Sequence, residues 1–284
     1  MLNIGGSRIL AIETIAGKSH WNFMRSILRT LSERGHQVTV FTPFPDGNRP
    51  NYTEIDLSFE VPIKVGMNVQ DMLQIFSTST GFLPVLLNMT RYTCEIIYQN
   101  VYMEEILNES HKFNFDLVIT EPMCSSCVDY AAAKLKLPMI YLMPSPMITY
   151  KEREFYGHIP NLATTSHVMA RYARPRTFWE RFSNVKLHLE ILYALATNEK
   201  KLKNLYPMNF DYIDSIRSSL TFINTHYITE VPNSLPLDVV QVGGIHLSIP
   251  KPIPNVSTIK LPSILNYFNN YHIKVKAKQV DDFS

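Results

Sequence analysis

The sequence predicts an α/β protein built on a doubly wound, parallel, Rossmann-like sheet. Short apolar, β-rich runs alternate with segments whose apolar residues recur every three or four positions, as they do in βαβ units. One complete strand–helix–strand unit fits within residues 8–42, which is the size of a right-handed crossover. The chain has 284 residues, of which 45% are hydrophobic, so it can bury one large core or two ordinary ones and is not largely disordered.

The first half of the sheet is predicted from the N-terminal 57 residues. The run RILAIET at 8–14 is a buried first strand, and the apolar spacing between Phe23 and Leu31 predicts the helix that follows it. Gly35 stands where a helix C-terminal cap belongs, and 37–42 then resumes as a strand. After a Pro-rich loop, 52–57 is a third strand.

The second half follows a helical segment rich in Met, Leu, Tyr and Phe. Helices are predicted at 67–77 and 83–107, and a second alternating unit places a strand at 116–120, a helix at 125–136 and a strand at 138–142. The remaining predicted elements are helices at 178–202 and 210–216 and strands at 220–224 and 239–242. We therefore expect a domain at 1–245, followed at 246–284 by a Pro-rich linker and a tail.

Composition excludes several functional classes. A net charge of +2, with Lys and Arg scattered along the chain, gives no electrostatic case for nucleic-acid binding. No apolar segment is long enough to span a membrane, and the residues before Arg8 do not read as a signal peptide. A single glycine, Gly17, follows the first strand, so a dinucleotide cofactor is not expected.

The cysteines give a weak signal. Cys124 and Cys127 have the spacing of a redox or zinc pair, but zinc needs two more ligands, and Cys94 lies about 30 residues upstream without an evident partner. We expect buried thiols at the start of a helix and no metal site. Four N-glycosylation triplets begin at Asn51, Asn88, Asn108 and Asn255. Roughly three are expected by chance, so they carry little weight by themselves.

The predicted topology selects two places where a ligand would bind. In doubly wound sheets, ligands bind outside the carboxyl ends of the strands, at the point where the strand order reverses. His20 follows the first strand at the start of a helix, and Glu121 follows the strand at 116–120. We expect the two side chains to lie within reach, with His20 as a general base that the helix N-terminus keeps neutral and Glu121 as the group that orients it. The structural alternative is a helix-capping or solvated His20 and a Glu121 in a surface turn.

The sequence resembles the UDP-glycosyltransferases of animals, most closely the insect-type members. The resemblance rests on RILAIETIAGKSHWNFMRSILRTLSERGHQVTVFTPFPDGNRPNY at 8–52, FDLVITEP at 115–122, LPMIYL at 137–142 and VVQVGGIHLSIPKPIP at 239–254. It implies the N-terminal half of a GT-B fold, with the acceptor bound by the 1–245 domain and the UDP-sugar bound mainly by a C-terminal domain to which 246–284 bears no likeness.

The resemblance also assigns roles to residues. It implies that His20 removes the proton from an acceptor hydroxyl, which then attacks the anomeric carbon with inversion. Glu121 matches the position of the acidic residue that pairs with this histidine in the family, where many members have Asp. Ser19 and Trp21, on either side of the histidine, are assigned to substrate binding, with Ser19 near the donor phosphates. No cofactor besides the UDP-sugar co-substrate is implied.

Two functions follow as expectations. The first is transfer of a hexose, glucose or glucuronic acid, from a UDP-sugar to a small lipophilic acceptor, a detoxification reaction of the endoplasmic reticulum membrane in this family. The second is a non-catalytic fragment that binds acceptor or forms homodimers or heterodimers with full-length family members. Catalysis needs both walls of the cleft, which is why the second expectation stands beside the first.

Overall fold

The computed structural model describes most of the chain up to residue 247. The described residues are 5–247 apart from 62–67, 76, 78–80, 123–124, 146–154, 156, 158–159, 168, 227 and 229–234. The predicted linker and tail at 246–284, with Asn255, therefore lie almost wholly outside the described residues, as does Cys124.

Seven parallel strands form one sheet. They are β1 (Arg8–Ile12), β2 (Gln37–Thr42), β3 (Tyr52–Asp56), β4 (Leu117–Thr120), β5 (Met139–Met143), β6 (Leu220–Ile223) and β7 (Val239–Gln241). Their order is β3-β2-β1-β4-β5-β6-β7, so the chain winds outward in one direction from β1 and in the other from β4. The predicted Rossmann-like, doubly wound fold is confirmed, and its reversal point lies between β1 and β4.

Helices cover both faces of this sheet. They are α1 (Lys18–Glu33), α2 (Val69–Ile75), α3 (Phe82–Gln99), α4 (Val101–Asn108), α5 (Ser110–Phe113), α6 (Tyr130–Leu135) and α7 (Phe178–Leu205), with 3-10 helices at Ser126–Asp129 and Asn209–Tyr212. No helix among the described residues is both long enough and apolar enough to cross a membrane.

Alternation along the strands sorts the core into two layers, as a period of two requires. Ile9 and Ala11 of β1 pack in one apolar cluster with Trp21, Phe23 and other side chains of α1. Leu10 and Ile12 point to the opposite face and pack with side chains from α3, α4 and α6. A third cluster joins α3 to α7 and contains Ile15, Leu83, Leu87, Ile191 and Leu195.

Two helix predictions needed correction. The helix predicted over 83–107 is interrupted at Asn100, whose backbone is extended and whose side-chain oxygen accepts the Tyr102 N–H at 3.0 Å, so a new helix begins there. The helix predicted at 210–216 is wrong, because only the 3-10 turn Asn209–Tyr212 forms and Ile213 is already extended. The carboxylate of Asp211 accepts hydrogen bonds from Arg91 and from the backbone N–H of Met208, which holds this short turn against α3.

The cysteine prediction is also wrong. Cys94 of α3 and Cys127 of the 3-10 helix after β4 form a disulfide, with their Cα atoms 6.2 Å apart. Both residues are buried, so the bond ties α3 directly to the segment that follows β4. Sequence spacing drew attention to Cys124 and Cys127, whereas the pairing depends on two elements that meet only in the folded chain.

Candidate active site

The strand ends at the reversal point carry the polar groups that the topology rule selects. β1 and β4 are adjacent and in register, with Ile12 opposite Thr120, and Glu121 directly follows β4. The Thr14 hydroxyl donates to the Glu121 carbonyl oxygen at 3.4 Å, which links the two chain segments beyond the strands. A short turn then leads from β1 into α1, and His20 lies in its first turn.

The structure brings His20 and Glu121 together. His20 Nδ1 lies 2.6 Å from Glu121 Oε1, across 101 residues of chain. Glu121 is 1% exposed and the His20 side chain is 26% exposed, so a buried carboxylate supports a ring that reaches solvent. Because an ionised carboxylate only accepts, Nδ1 carries the hydrogen and Nε2 is left as the basic nitrogen.

The contact changes the protonation of the histidine. Burial by itself lowers the pKa of His20, but the negative charge of Glu121 and the hydrogen bond to it raise that pKa by more, to above its ordinary value of 6.5. The sequence-based expectation was that the helix N-terminus keeps the imidazole neutral by lowering its pKa. The net shift of the pKa is in the opposite direction. The pairing therefore makes His20 a stronger base and stabilises its protonated form.

Gly17 makes room for the histidine ring. A methyl group at this position would lie 2.9 Å from His20 Cδ2, which is closer than ordinary van der Waals contact. The backbone of Gly17, with φ −111° and ψ 119°, is open to any residue. Its glycine is therefore required by the position of the ring and not by backbone conformation.

The two residues beside His20 behave differently. Ser19 is exposed at the start of α1, where it can meet a ligand. Trp21 is fully buried in the α1 layer, packed with Ile9 and Met24, so the structure gives it a place in the core and no open face for substrate. The expected role of Trp21 in substrate binding therefore finds no support in its position.

A buried apolar cluster adjoins the turn that carries His20. Ile15, in that turn, packs against Leu83 and Leu87 of α3, and partly buried Phe82 and Leu86 extend the same cluster. A separate cavity of about 560 Å³ lies between α3, α4, α6 and the 3-10 turn Asn209–Tyr212, and none of its lining residues is shared with the His20–Glu121 pair.

Sequence reasoning missed one buried acid beside this pair. Glu13 follows β1 directly and is completely buried. The signal was present, since a charged residue inside the apolar run 8–14 is unusual, but the run was assigned as strand throughout. Among the described residues, no three His, Cys, Asp or Glu side chains converge as a metal site.

Comparison with known proteins identifies relatives over nearly the whole chain. A family model described as UDP-glucoronosyl and UDP-glucosyl transferase matches residues 8–260. UDP-glucosyltransferase 2 of Dactylopius coccus is 29% identical over 264 residues, covering 89% of this chain and 50% of that protein. UDP-glucuronosyltransferase 2A3 of Mus musculus is 24% identical, covering 83% of this chain and 48% of that protein. The chain thus spans about half the length of the curated relatives it matches.

Solved structures of glycosyltransferases are also similar. SnogD from Streptomyces nogalater matches with a TM-score of 0.37 and 14% identity, over 78% of this chain and 46% of its own. LpCGTa, solved in complex with UDP, matches with a TM-score of 0.37 and 13% identity, over 84% of this chain and 53% of its own. At these scores the superpositions carry no argument about individual residues.

Proposed function

Because the chain belongs to the UDP-glycosyltransferase family, we propose that it forms the acceptor-binding, N-terminal half of a GT-B enzyme. The enzyme transfers a hexose, glucose or glucuronic acid, from a UDP-sugar to a hydroxyl of a small lipophilic acceptor. The observation that supports this proposal most directly is the 2.6 Å contact between His20 Nδ1 and Glu121 Oε1 at the reversal point of the sheet.

The reaction proposed is a single displacement with inversion. His20 Nε2 takes the proton of the acceptor hydroxyl as the hydroxyl oxygen attacks the anomeric carbon, and the bond from that carbon to the UDP oxygen breaks with its electron pair leaving on UDP. Glu121 keeps the ring oriented and stabilises the imidazolium that results. In this proposal Ser19, which is exposed at the N-terminus of α1, contacts the phosphates of the donor, for which backbone N–H groups at a helix start are suited.

We place the acceptor against the apolar cluster beside the turn. Ile15 and Leu83 are themselves buried, so the partly buried Phe82 and Leu86 are the members that would meet a lipophilic phenol or alcohol with its hydroxyl at the ring. Addition of a hexose makes such a compound more water-soluble, and this is how the transfer would serve detoxification.

The experiment is transfer by the purified full chain, with UDP-glucose or UDP-glucuronic acid and a phenolic acceptor. We expect product whose formation disappears in His20→Ala and survives in His111→Ala, a control at an exposed histidine of α5. Binding of the acceptor without any turnover would refute catalysis by this chain.

The compartment proposed is the lumenal side of the endoplasmic reticulum membrane. A buried disulfide suits an oxidising compartment, and the described glycosylation triplets all present an exposed Asn, at 51, 88 and 108. Expression with a secretory leader should yield a chain whose mass falls on treatment with peptide N-glycosidase. An unchanged mass would argue against lumenal residence.

One observation favours the second candidate function, a dimerising chain without turnover. α7 exposes an apolar stripe at heptad spacing, formed by Phe178, Phe182, Val185, Leu189 and Leu192. Such a seam is typical of pairing with another helix, and a second copy of α7 would supply one. Sedimentation equilibrium should show a dimer that Leu189→Glu dissociates and that Lys201→Glu, an exposed change outside the stripe, leaves intact. A monomer in the unmodified chain would refute this candidate.

A further inference from the structure

Glu13 is a buried acid for which the catalytic scheme above has no use. Its side chain is 0% exposed, in the turn between β1 and α1. One carboxyl oxygen, Oε1, accepts the backbone N–H of Ile15 at 3.0 Å. The other oxygen, Oε2, is buried and has no hydrogen-bond partner among the described residues. A buried polar atom left in this way is destabilising, so its retention calls for an explanation.

The register of the sheet puts this acid beside Glu121. Ile12 of β1 lies opposite Thr120 of β4, and Glu13 and Glu121 are the next residues of the two chains. Glu13 continues the ladder, because its backbone N–H donates to the Phe41 carbonyl at 3.0 Å. Both acids also continue the odd-numbered positions of their strands, which face α1 and therefore face His20.

The charges near Glu13 do not balance two ionised acids. Glu121 already pairs with His20, and no Lys or Arg of the described residues forms an ion pair with Glu13. Lys18, close by in sequence, is exposed with its ammonium over the Phe44 ring. Burial raises the pKa of Glu13 well above its ordinary value, the negative charge of Glu121 raises it further, and the Ile15 N–H offsets only part of this.

We propose that Glu13 is a positioning residue that keeps its proton at working pH, so that Glu121 is the one ionised carboxyl facing His20. No donor or cation of the described residues lies within hydrogen-bond reach of Oε2, so nothing there offsets the burial of a negative charge, whereas Oε1, which accepts from Ile15, can serve as the carbonyl oxygen of a neutral acid. The catalytic meaning of this arrangement rests on the proposed function. With a second negative charge beside it, His20 would hold its proton more tightly and would be a free base in fewer molecules at neutral pH.

The direct test is infrared spectroscopy of the purified full chain at neutral pH. We expect the carbonyl stretch of a protonated carboxylic acid, absent in Glu13→Gln and retained in Glu33→Gln, a control at the exposed end of α1. In Glu121→Gln the band should disappear at a lower pH than in the unmodified chain, because one of the two causes of protonation is removed. Absence of the band from the unmodified chain would overturn the proposal, and that measurement needs no variant to fold.

A second readout follows His20 by NMR titration. Gln is neutral, as the protonated acid is, so Glu13→Gln should leave the His20 titration midpoint nearly unchanged. Glu121→Gln should lower that midpoint, because the charge and the hydrogen bond that raise it are removed. If Glu13→Gln lowers it as much as Glu121→Gln does, Glu13 is ionised and the proposal is wrong. Neither readout requires turnover, so failure of the proposed transfer reaction and failure of this proposal are distinguishable.

Discussion

The disulfide between Cys94 and Cys127 should contribute a large part of the stability of the chain. The two cysteines are separated by 33 residues. In the chain-entropy description, closing a loop of this length lowers the free energy of folding by about 3.7 kcal/mol at 25 °C. Natural domains are stable by only about 5–15 kcal/mol, so the disulfide would supply a large fraction of the free energy of unfolding. For a chain of this size, its loss should lower Tm by about 7–15 °C.

Thermal unfolding and thiol counting together check this prediction. The chain has three cysteines, so the denatured, unreduced protein should show one reactive thiol and the reduced protein three. Reductant should lower the Tm of the unmodified chain and of Cys124→Ala, and it should have no effect on the Cys94→Ala/Cys127→Ala double variant. The reduced protein isolates the cross-link, because the double variant also loses two buried sulfurs. Three reactive thiols before reduction, or an equal effect of reductant on the double variant, would refute the reasoning.

Three further predictions concern the site and its support. Glu121→Gln should lower the pKa of His20, because burial, which remains, lowers it and the charge that raised it is gone, and should cut transfer. A raised His20 pKa adds stability that is complete below the pKa of this histidine in the unfolded chain and is lost as pH rises through its folded pKa. In urea titrations at several pH values, the stability difference from the unmodified chain should therefore be largest near pH ~6 and narrow at higher pH; a pH-independent difference would contradict this. Gly17→Ala should displace the His20 ring, with altered His20 NMR shifts and up to about 10²-fold less transfer but nearly unchanged Tm; unchanged shifts would show that the ring does not need this space. Arg91→Ala should cost about 3–5 kcal/mol in urea unfolding, because it leaves Asp211 as a buried, unpaired charge; a loss below about 1 kcal/mol would show that water replaces the guanidinium.

The strands and the contact between His20 and Glu121 were predictable because they depend on local pattern and on one topological rule. Short apolar, β-rich runs placed β1 and β4 within two residues of their observed bounds, and the reversal-point rule then selected His20 and Glu121. The family resemblance is confirmed by the match over residues 8–260.

The missed features depend on contacts that only the folded chain makes. The Cys94–Cys127 bond joins α3 to the segment after β4, and the ion pair of Arg91 with Asp211 crosses 120 residues. Neither pairing has a local signature. The sign of the His20 shift was missed for a similar reason, since helix position is visible in the sequence and the 2.6 Å approach of a buried carboxylate is not.

The site depends on chain length between β1 and α1 as much as on residue identity. β1 ends at Ile12 and α1 begins at Lys18, so five residues set both the position of the helix and the direction of its first turn. One residue more or fewer in the helix before His20 would rotate its side chain by about 100° around the helix axis and away from the fixed end of β4. Within those five residues, Glu13 lies beside Glu121 in register, Thr14 bonds its carbonyl, and Gly17 leaves space for the ring. The turn is therefore part of the candidate site, because its residues set the distance and the space at which a histidine and a carboxylate 101 residues apart come into contact.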